Sequence, residues 1–343
     1  MFRTKFSQWL SSAVLGTGLL WGAQAAAHGY GDHPAAQPFI AEMAQEGFDE
    51  KEIRTVLDSA ERQESILKAI SRPAEKRLNW GEYRNIFLRD ARIDQGLEFW
   101  DQYAEALQRA EQTYGVPAQI IVAIIGVETR YGRNMGSYRV VDSLSTLGFD
   151  YPPRGKFFQG QLKEYFYLLR EEGVDPFSLK GSYAGAMGFG QFIPSSFRSF
   201  AVDFDGDGKK DIWNNPVDAI GSVAHYFQAH GWKAGEPVRS NVVMEKLADE
   251  AWINGDLKPE LTLAQWSERG IRTRKGLDAD SKATLIRLET DGEFQHWFGL
   301  HNFYVITRYN HSRLYAMAVY ELSQAITEKR HQVQARQQNG VAG

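Results

Sequence analysis

The chain has 343 residues, of which 43% are hydrophobic and 24% are charged, as in a soluble globular protein with more than one packed unit. Its formal net charge is −4, whereas nucleic-acid-binding proteins carry an excess of basic residues, so we expect no nucleic-acid partner. The absence of cysteine excludes a fold held by disulfide bonds and leaves no thiol for a lipid anchor.

The first element in chain order is a predicted secretory signal peptide over residues 1–27. Arg3 and Lys5 form its basic start, the apolar stretch "WLSSAVLGTGLLWG" follows, and "AQAAA" supplies small residues for cleavage after Ala27. The apolar stretch is too short to cross a bilayer comfortably, and an uncleaved anchor is the alternative. We therefore expect an exported and soluble mature protein with no direct lipid anchor.

Residues 28–114 predict a helical domain, because apolar residues recur at intervals of three and four between charged ones. Its last part, "DQGLEFWDQYAEALQRAEQTYG", continues this periodicity and reaches Gly115, which is typical of a helix end. The many charges of this region are interpreted as a solvated face.

A buried helix is predicted next, since Pro117 suits a first helical turn and "AQIIVAIIGVE" is apolar on all sides. Glu128 lies at the carboxyl end of this helix. Burial and the negative end of the helix dipole both disfavour a charged carboxylate, so both raise its pKa. A carboxyl group that stays protonated near neutral pH suits a general acid. The alternative is a glutamate that pairs with Arg130 and has no catalytic role.

Residues 181–197, "GSYAGAMGFGQFIPSSF", combine four glycines with two alanines. So little side-chain cover lets a ligand approach the main-chain N–H and C=O groups, and Ser182 and Gln191 offer side-chain hydrogen bonds beside them. The glycine spacing matches neither the dinucleotide nor the phosphate-loop pattern, and Ser182 stands one place too early for a nucleophile elbow. A flexible loop is the alternative.

An acidic loop follows at residues 203–218. Asp203, Asp205 and Asp207 alternate in the sequence, and Gly208 comes next, as at the start of an EF-hand calcium loop. Three converging carboxylates repel one another unless a divalent cation lies among them, and hard oxygen ligands favour calcium. A solvated acidic turn is the alternative.

The second half of this loop departs from the EF-hand pattern. Lys209 offers its carbonyl oxygen, but Asn214 stands where the pattern has glutamate. Asp218 is the candidate to close the site from a longer loop, with Asn214 as the other choice. Asp211 acts through water or takes no part.

The sequence pattern changes near Val238. Residues 236–300 predict a small β domain, with strand-like "VRSNVVMEKL" and "ATLIRLET" and a turn at Asp291-Gly292. "FYVIT", residues 303–307, carries the same strand-like composition, although residues 301–331 as a whole predict a helical segment that returns to the core. Residues 332–343 are rich in glutamine and predict a disordered tail.

Several segments together resemble the membrane-bound lytic murein transglycosylase B family: "VETRYGRNMGSYRVVDSLSTLGFDYPPR", "GSYAGAMGFGQFIPSSF", the acidic loop with "PVDAIGSVAHYF", and "RYNHSRLYAMAV". The resemblance covers essentially the whole predicted mature chain. It implies an α+β, mainly α fold with a lysozyme-like core over residues 115–235, an EF-hand-like calcium loop, a helical domain and a small β domain.

The resemblance implies an enzyme that cleaves the β-1,4 bond between N-acetylmuramic acid and N-acetylglucosamine in peptidoglycan. The muramyl 6-hydroxyl closes on its own anomeric carbon, with assistance from the N-acetyl group, and leaves a 1,6-anhydro end. A nucleophile that the substrate already carries needs no second carboxylate to place water. Glu128 then acts alone, first as the acid and then as the base.

The resemblance also implies which residues contact the substrate and the ion. Ser182 and Gln191 line the glycan beside the acid, Tyr83 flanks the cleft, and Arg154 meets the peptide stem or the lactyl carboxylate. The sugar subsites are completed by Tyr226, Tyr309, Asn310 and Tyr315. The calcium ligands correspond to Asp203, Asp205, Asp207, the carbonyl of Lys209, and Asp218.

The family's name-giving members are lipoproteins, whereas this chain has no cysteine to acylate. We therefore expect a soluble periplasmic protein whose partners are peptidoglycan glycan strands and proteins of cell-wall synthesis or remodelling. Two other functions stay open. One is a muramidase that uses water, with Asp142 or Asp150 as the second carboxylate, and the other is a non-catalytic, calcium-dependent glycan-binding protein.

Overall fold

The computed structural model describes residues 29–71, 78–274 and 276–340, so the predicted signal peptide lies outside the described part of the chain. The helices in chain order are α1 Gln37–Gln45, α2 Glu50–Asp58, α3 Glu64–Ile70, α4 Trp80–Phe87, α5 Asp90–Gln102, α6 Ala104–Tyr114, α7 Ala118–Thr129, α8 Val140–Asp150, α9 Gly155–Glu172, α10 Pro194–Phe200, α11 Pro216–Ala229, α12 Leu263–Glu268, α13 His301–Tyr309 and α14 Arg313–Gly340.

Within the described residues the strands form two antiparallel sheets, a two-stranded one within the helical part and a five-stranded one of order β4-β6-β7-β3-β5. The strands are β1 Tyr138–Arg139, β2 Lys180–Gly181, β3 Arg239–Met244, β4 Leu261–Thr262, β5 Ile271–Thr273, β6 Lys282–Thr290 and β7 Glu293–Gly299. This architecture confirms the predicted mainly helical α+β fold.

Helix α7 is the centre of the largest hydrophobic cluster, which also includes buried residues of α5, α6, α11, α13 and α14. Every residue from Ile120 to Gly126 is buried, as the apolar sequence of this helix predicts. A second cluster joins the amino-terminal helices α1–α3 to α8 and α9. Because α7 is held on all sides, the residues at its carboxyl end have fixed positions.

The five-stranded sheet is formed by residues between Arg239 and Gly299. Its longest hairpin joins β6 to β7 at Asp291 and Gly292, whose φ angles are 52° and 82°. Positive φ at both positions is the requirement of the tight turn that a two-residue hairpin favours, which explains the Asp-Gly pair. Ile286 and Trp297 of this hairpin belong to the large helical cluster, so the sheet packs directly on the core.

Three local predictions differ from the structure. Residues 303–307 are helical in α13, because Val305 and Ile306 are fully buried there and this burial outweighs their strand preference. The helical run at residues 94–114 divides into α5 and α6, since Tyr103 leaves helical geometry and its ring packs on Phe99 at 4.8 Å. The structure places residues 332–340 in α14 instead of disorder, because glutamine, alanine and arginine extend an existing helix readily.

The apolar helices of the core are short. Among the residues that the structure describes, no helix has the length and hydrophobicity needed to cross a lipid bilayer.

Candidate active site

Glu128 is a half-buried carboxyl group in the last turn of α7. The hydroxyl of Tyr315, near the start of α14, donates a hydrogen bond to Glu128 Oε1 at 2.5 Å. Tyr315 itself is buried, with 3% of its surface exposed. The carboxyl group therefore sits between two packed helices and has a fixed orientation.

Burial raises the pKa of Glu128 to about 7, and the hydrogen bond from Tyr315 offsets part of that increase. The apolar sequence of α7 predicts this upward shift of the Glu128 pKa. Arg130, the alternative partner, donates from Nε to Gln95 Oε1 at 2.8 Å instead. Glu128 is thus a carboxylic acid that titrates near neutral pH and has no ion pair with Arg130.

Tyrosines surround this acid. The charge of Glu128 adds to burial in raising the pKa of Tyr83, and it acts in the same direction on Tyr309 and Tyr315. All three phenols therefore stay neutral at physiological pH. The structure brings together four predicted site residues from three distant segments of the chain. Tyr309 also donates a hydrogen bond to the carbonyl of Gly190 at 2.5 Å, which joins α13 to the glycine-rich loop.

The glycine-rich loop is held in place by its own hydrogen bonds. Ser182 Oγ accepts from the amides of Ala184 and Ala186, at 3.3 and 3.0 Å. Gln191 has a positive φ of 51°, and its side-chain amide donates to the carbonyls of Met135 and Gly188. The alternative of a flexible loop therefore does not describe this segment, which presents Ser182 and Gln191 from a fixed backbone.

Thr129, which no sequence motif predicted, contributes to the site by contacts next to Glu128. It is fully buried, and its hydroxyl donates to the carbonyl of Phe189 at 3.0 Å and accepts from the amide of Gly132. These bonds fasten the glycine-rich loop to the helix that carries Glu128. A polar residue in the last turn of an otherwise apolar helix was the available signal.

The chain leaves α7 through two strained residues. Arg130 and Tyr131 have φ angles of 53° and 60°, a region that costs roughly 1–3 kcal/mol for a residue other than glycine. Arg92 supports this turn from α5, since its Nη1 donates to the carbonyl of Gly126 at 2.7 Å and its own carbonyl accepts from the Tyr131 hydroxyl. Such strain beside a functional group is typical of an active site.

Three other predicted substrate residues have different environments. Arg154 is exposed on the turn Pro152–Arg154, with its guanidinium 4.4 Å from the ring centroid of Phe157. Asn310 is exposed directly after α13. Tyr226 is buried, and its hydroxyl donates to the carbonyl of Arg308 at 2.6 Å. A sugar contact by Tyr226 stays a prediction, as do those by Arg154 and Asn310.

The acidic loop brings three carboxylates together. Oxygen atoms of Asp203, Asp205 and Asp218 all lie within 4.8 Å of one another. Asp218 is fully buried and accepts from the amides of Phe204 and Asp211, at 2.8 and 2.9 Å, so the loop folds around it. Three converging oxygen ligands on a fixed backbone suit a hard divalent cation such as calcium.

Asp207 is not part of this cluster, and Asn214, the alternative to Asp218, bonds to Asp211 instead. Asp207 is exposed and accepts from the amide of Lys209 at 2.9 Å. Asn214 donates to the carboxylate of Asp211 at 3.1 Å, which directs its side chain to a neighbour outside the three-carboxylate cluster. Asp218 is therefore the better candidate of the two to close the site.

Residues 31–324 match the family model described as the transglycosylase SLT domain. The chain belongs to this family. It is 44% identical over 313 residues to the membrane-bound lytic murein transglycosylase B of Escherichia coli (strain K12), which covers 88% of this chain and 85% of the relative. The resemblance predicted from the sequence is confirmed.

Solved structures agree with this membership. The catenated lytic transglycosylase SltB1 from Pseudomonas aeruginosa is 53% identical, with a TM-score of 0.85 over 88% of this chain and 99% of that chain. The Escherichia coli lytic transglycosylase Slt35 in complex with calcium is 44% identical, with a TM-score of 0.80 over 88% of this chain and 95% of that chain. The predicted lysozyme-like fold is confirmed by these neighbours.

Proposed function

We propose that this protein is a peptidoglycan lytic transglycosylase, which cleaves the bond between N-acetylmuramic acid and N-acetylglucosamine without adding water. The carrying observation is one half-buried carboxyl group with a pKa of about 7, which accepts a hydrogen bond from a buried tyrosine. Among the described residues, the pKa of Glu128 is shifted by burial and by Tyr315 and not by a second carboxylate, while the charge of Glu128 acts on Tyr83 and Tyr309. Membership of the transglycosylase family and the name of the Escherichia coli relative support the substrate class.

The chemistry needs Glu128 in two protonation states. As a neutral acid it donates its proton to the leaving glycosidic oxygen, and as a carboxylate it accepts the proton of the attacking muramyl 6-hydroxyl. A pKa near 7 keeps both states accessible at neutral pH. The hydrogen bond from Tyr315 stabilises the carboxylate between the two steps. The substrate supplies its own nucleophile, so no water needs to be positioned.

The surrounding residues hold the glycan against this acid. Tyr83, Tyr309 and Tyr315 form a neutral aromatic wall, and Ser182 and Gln191 offer hydrogen bonds from the glycine-rich loop. Arg154 is available to a carboxylate of the lactyl group or the peptide stem because no carboxylate of the described chain pairs with it. Asn310 and Tyr226 complete the predicted subsites.

A muramidase reaction needs a second carboxylate, and both candidates, Asp142 and Asp150, already have other hydrogen-bond and ion-pair partners. Asp142 is buried, accepts from the amide of Glu61 and forms an ion pair with Arg139 at 2.7 Å. Asp150 accepts from the hydroxyl of Tyr30 at 2.7 Å and from Arg62 at 3.0 Å. These partners attach α8 to the amino-terminal segment. The geometry therefore favours the reaction without water over hydrolysis.

Calcium fits the acidic loop as a structural ion. Asp203, Asp205 and Asp218 would hold it, with Asp207 and the carbonyl of Lys209 as further predicted ligands. The bound ion would neutralise carboxylates that otherwise repel one another, and it supplies no step of the reaction. The calcium complex of the Escherichia coli relative supports this assignment.

We infer that the protein acts in the periplasm, because its proposed substrate is peptidoglycan. The predicted signal peptide at residues 1–27 supports export, and glycan strands are the principal partner. Proteins of cell-wall synthesis or remodelling are the expected protein partners.

The test of this function is turnover of purified peptidoglycan sacculi by Glu128→Gln. Replacing the acid by an isosteric amide removes the proton that the leaving group needs, so we expect turnover to fall about 10²- to 10⁴-fold while glycan binding is kept. The control is Asp150→Asn, which weakens an ion pair and leaves the activity of the folded protein unchanged.

Three outcomes would count against the proposal. Substantial turnover by Glu128→Gln would remove Glu128 from its role. Loss of turnover in a folded Asp150→Asn protein would indicate a second catalytic carboxylate and hence a muramidase. Sacculus binding without any turnover by the natural protein would leave the non-catalytic glycan-binding function.

A further inference from the structure

The chain leaves the helix that carries Glu128 through one turn of left-handed backbone. Arg130, Tyr131 and Gly132 have φ angles of 53°, 60° and 83°, so three consecutive residues lie in the left-handed region. Residues other than glycine occupy this region as single positions and not in runs. Two adjacent ones persist only where the surrounding structure holds them in place. We call residues 130–132 the left-handed turn.

Tyr131 holds the middle of the left-handed turn against two helices. Its side chain is buried, and its hydroxyl donates a hydrogen bond to the carbonyl of Arg92 on α5 at 3.0 Å. Gly96 of α5 and Gly126 of α7 make room for this hydroxyl, because a Cβ at either glycine would lie 2.5 Å from it. Both helices that border the turn therefore have a glycine where the tyrosine packs.

Thr129 holds the ends of the left-handed turn. Its Oγ1 accepts a hydrogen bond from the amide of Gly132 at 3.0 Å, which closes the turn, and donates one to the carbonyl of Phe189 at 3.0 Å. Its own carbonyl accepts from the amide of Asn134 at 2.9 Å. Because Thr129 is fully buried, water does not replace these partners. One hydroxyl thus joins the end of α7, the turn and the glycine-rich loop.

The segment directly after the left-handed turn contacts the two residues of the glycine-rich loop that offer hydrogen bonds to a glycan. The carbonyl of Met135 accepts from the side-chain amide of Gln191 at 3.2 Å. The backbone of Gly136 packs on that of the loop, since a Cβ there would overlap the carbonyl of Gly181 and the amide of Ser182. The direction in which the chain leaves α7 therefore sets where Ser182 and Gln191 lie relative to the acid.

We propose that Thr129 and Tyr131 are positioning residues, which hold the acid in a fixed place relative to the glycan-binding groups of the loop. The inference rests on the proposed function, since it takes Glu128 as the acid and Ser182 and Gln191 as glycan contacts. Both positioning side chains are buried and act through the backbone of the left-handed turn. A displacement of about 1 Å between a catalytic group and its substrate lowers a rate by as much as about 100-fold.

The test replaces each side chain by one of similar shape that lacks the hydroxyl, in the variants Thr129→Val and Tyr131→Phe. Thr129→Ser keeps the hydroxyl and is the conservative variant. The matched control is Thr307→Val, because Thr307 is also fully buried but its hydroxyl donates to the carbonyl of Tyr304 within its own helix. Turnover of solubilised glycan strands gives kcat and KM, and thermal unfolding gives the folded fraction at the assay temperature.

We expect kcat per folded molecule to fall at least tenfold for Thr129→Val and about fivefold for Tyr131→Phe, with KM within about twofold of the natural value. The loop still binds the glycan, whereas the acid is displaced from the bond that is cut, so the loss falls on kcat. Thr129→Ser should keep kcat within about threefold, and Thr307→Val should keep it within about twofold.

A structural role alone would lower the folded fraction of Thr129→Val and Thr307→Val and leave kcat per folded molecule unchanged. That result would overturn the inference, as would a loss confined to KM or an equal loss in Thr129→Ser. If Thr129→Val did not fold, Tyr131→Phe would decide, and an unchanged kcat in that variant would overturn the inference.

The proposed function fails by a different result. A natural protein without turnover, or a Glu128→Gln variant with natural turnover, would remove the proposed function and this inference with it. Natural kcat in the folded Thr129 and Tyr131 variants, beside an inactive Glu128→Gln, would remove only the inference.

Discussion

At the scale of single residues, the activity depends on the protonation state of one carboxyl group, that of Glu128. A carboxyl group in water has lost its proton well below neutral pH, and burial of Glu128 reverses this by raising its pKa to about 7. Tyr315 acts in the opposite direction, because its hydroxyl stabilises the carboxylate. The balance between burial and one hydrogen bond therefore sets the pH range in which Glu128 can act as an acid.

This balance predicts the pH dependence of the natural enzyme and of Tyr315→Phe. Protonated Glu128 is the active acid, so kcat/KM should decline as pH rises through about 7. Removal of the Tyr315 hydroxyl destabilises the carboxylate and raises the pKa of Glu128 further. The descending limb of the pH profile, where kcat/KM declines, therefore moves to higher pH. The rate at the optimum should fall about tenfold, as for one lost hydrogen bond to a charged group. Rates across a pH series check this, and a limb that moves to lower pH would contradict it.

The residue scale also shows what a sequence can predict about a site. The direction of the Glu128 pKa follows from the apolar helix that carries it. The bond from Tyr315 does not, because 187 positions separate the two residues and only the packing of α14 on α7 joins them. The same holds for Thr129, whose contact with the glycine-rich loop crosses 60 positions. Family resemblance predicted Tyr315 as a site residue, whereas no sequence pattern predicted Thr129.

At the scale of elements, α4 is held between the core and the β domain. Arg84 of α4 donates from Nε to Glu321 of α14 at 2.8 Å, and Arg239 of β3 lies 3.8 Å from the same carboxylate. Trp80, at the start of α4, is buried in the large cluster. Because Tyr83 lies beside Arg84, this arrangement fixes one wall of the cleft relative to Tyr315 on α14.

We predict that Glu321→Gln raises KM about threefold and leaves the pH at which Glu128 titrates unchanged. The ion pair with half-exposed Arg84 contributes less than about 1 kcal/mol to stability, so the fold should persist and only the position of Tyr83 should loosen. The matched control is Arg330→Gln, which breaks an ion pair of the same helix with Asp101 of α5. Steady-state kinetics check this, and equal KM values for both variants would contradict it.

Elements differ in how far their sequence determines them. Helix α7 follows from its composition, since a segment that is apolar on every side has no stable position except inside a core. Helix α13 does not, because Val305 and Ile306 favour a strand locally and only their burial against α14 and the sheet makes them helical. The break at Tyr103 likewise has no glycine or proline to announce it.

At the scale of the whole molecule, the acidic loop connects parts that lie far apart in sequence. Arg109 of α6 donates from Nη2 to the carbonyl of Phe204 at 2.6 Å, and its guanidinium lies 4.2 Å from the ring centroid of Phe204. The carboxylate of Asp218, at the start of α11, accepts a hydrogen bond from the amide of Phe204. An ion bound in this loop would therefore stabilise the packing of α6 on α11.

Calcium should raise the melting temperature, because an ion that binds only the folded state stabilises it by mass action. At a concentration one hundred times the Kd this amounts to about 2.7 kcal/mol, which corresponds to a shift of several degrees for a chain of this size. Asp203→Asn should abolish most of the shift, and Glu293→Gln, an exposed acid of the β domain, should keep it. Thermal unfolding with excess calcium or with EDTA checks this, and identical curves would show that the loop binds no calcium.

The central claim is that the attacking oxygen comes from the substrate and not from water. The most direct measurement is a digest of purified sacculi in water labelled with heavy oxygen, followed by mass spectrometry of the products, with a hydrolytic lysozyme as the control. The account predicts 1,6-anhydro muramyl ends, lighter than the hydrolytic product by one water and free of label. Reducing muramyl ends that carry the label would contradict it.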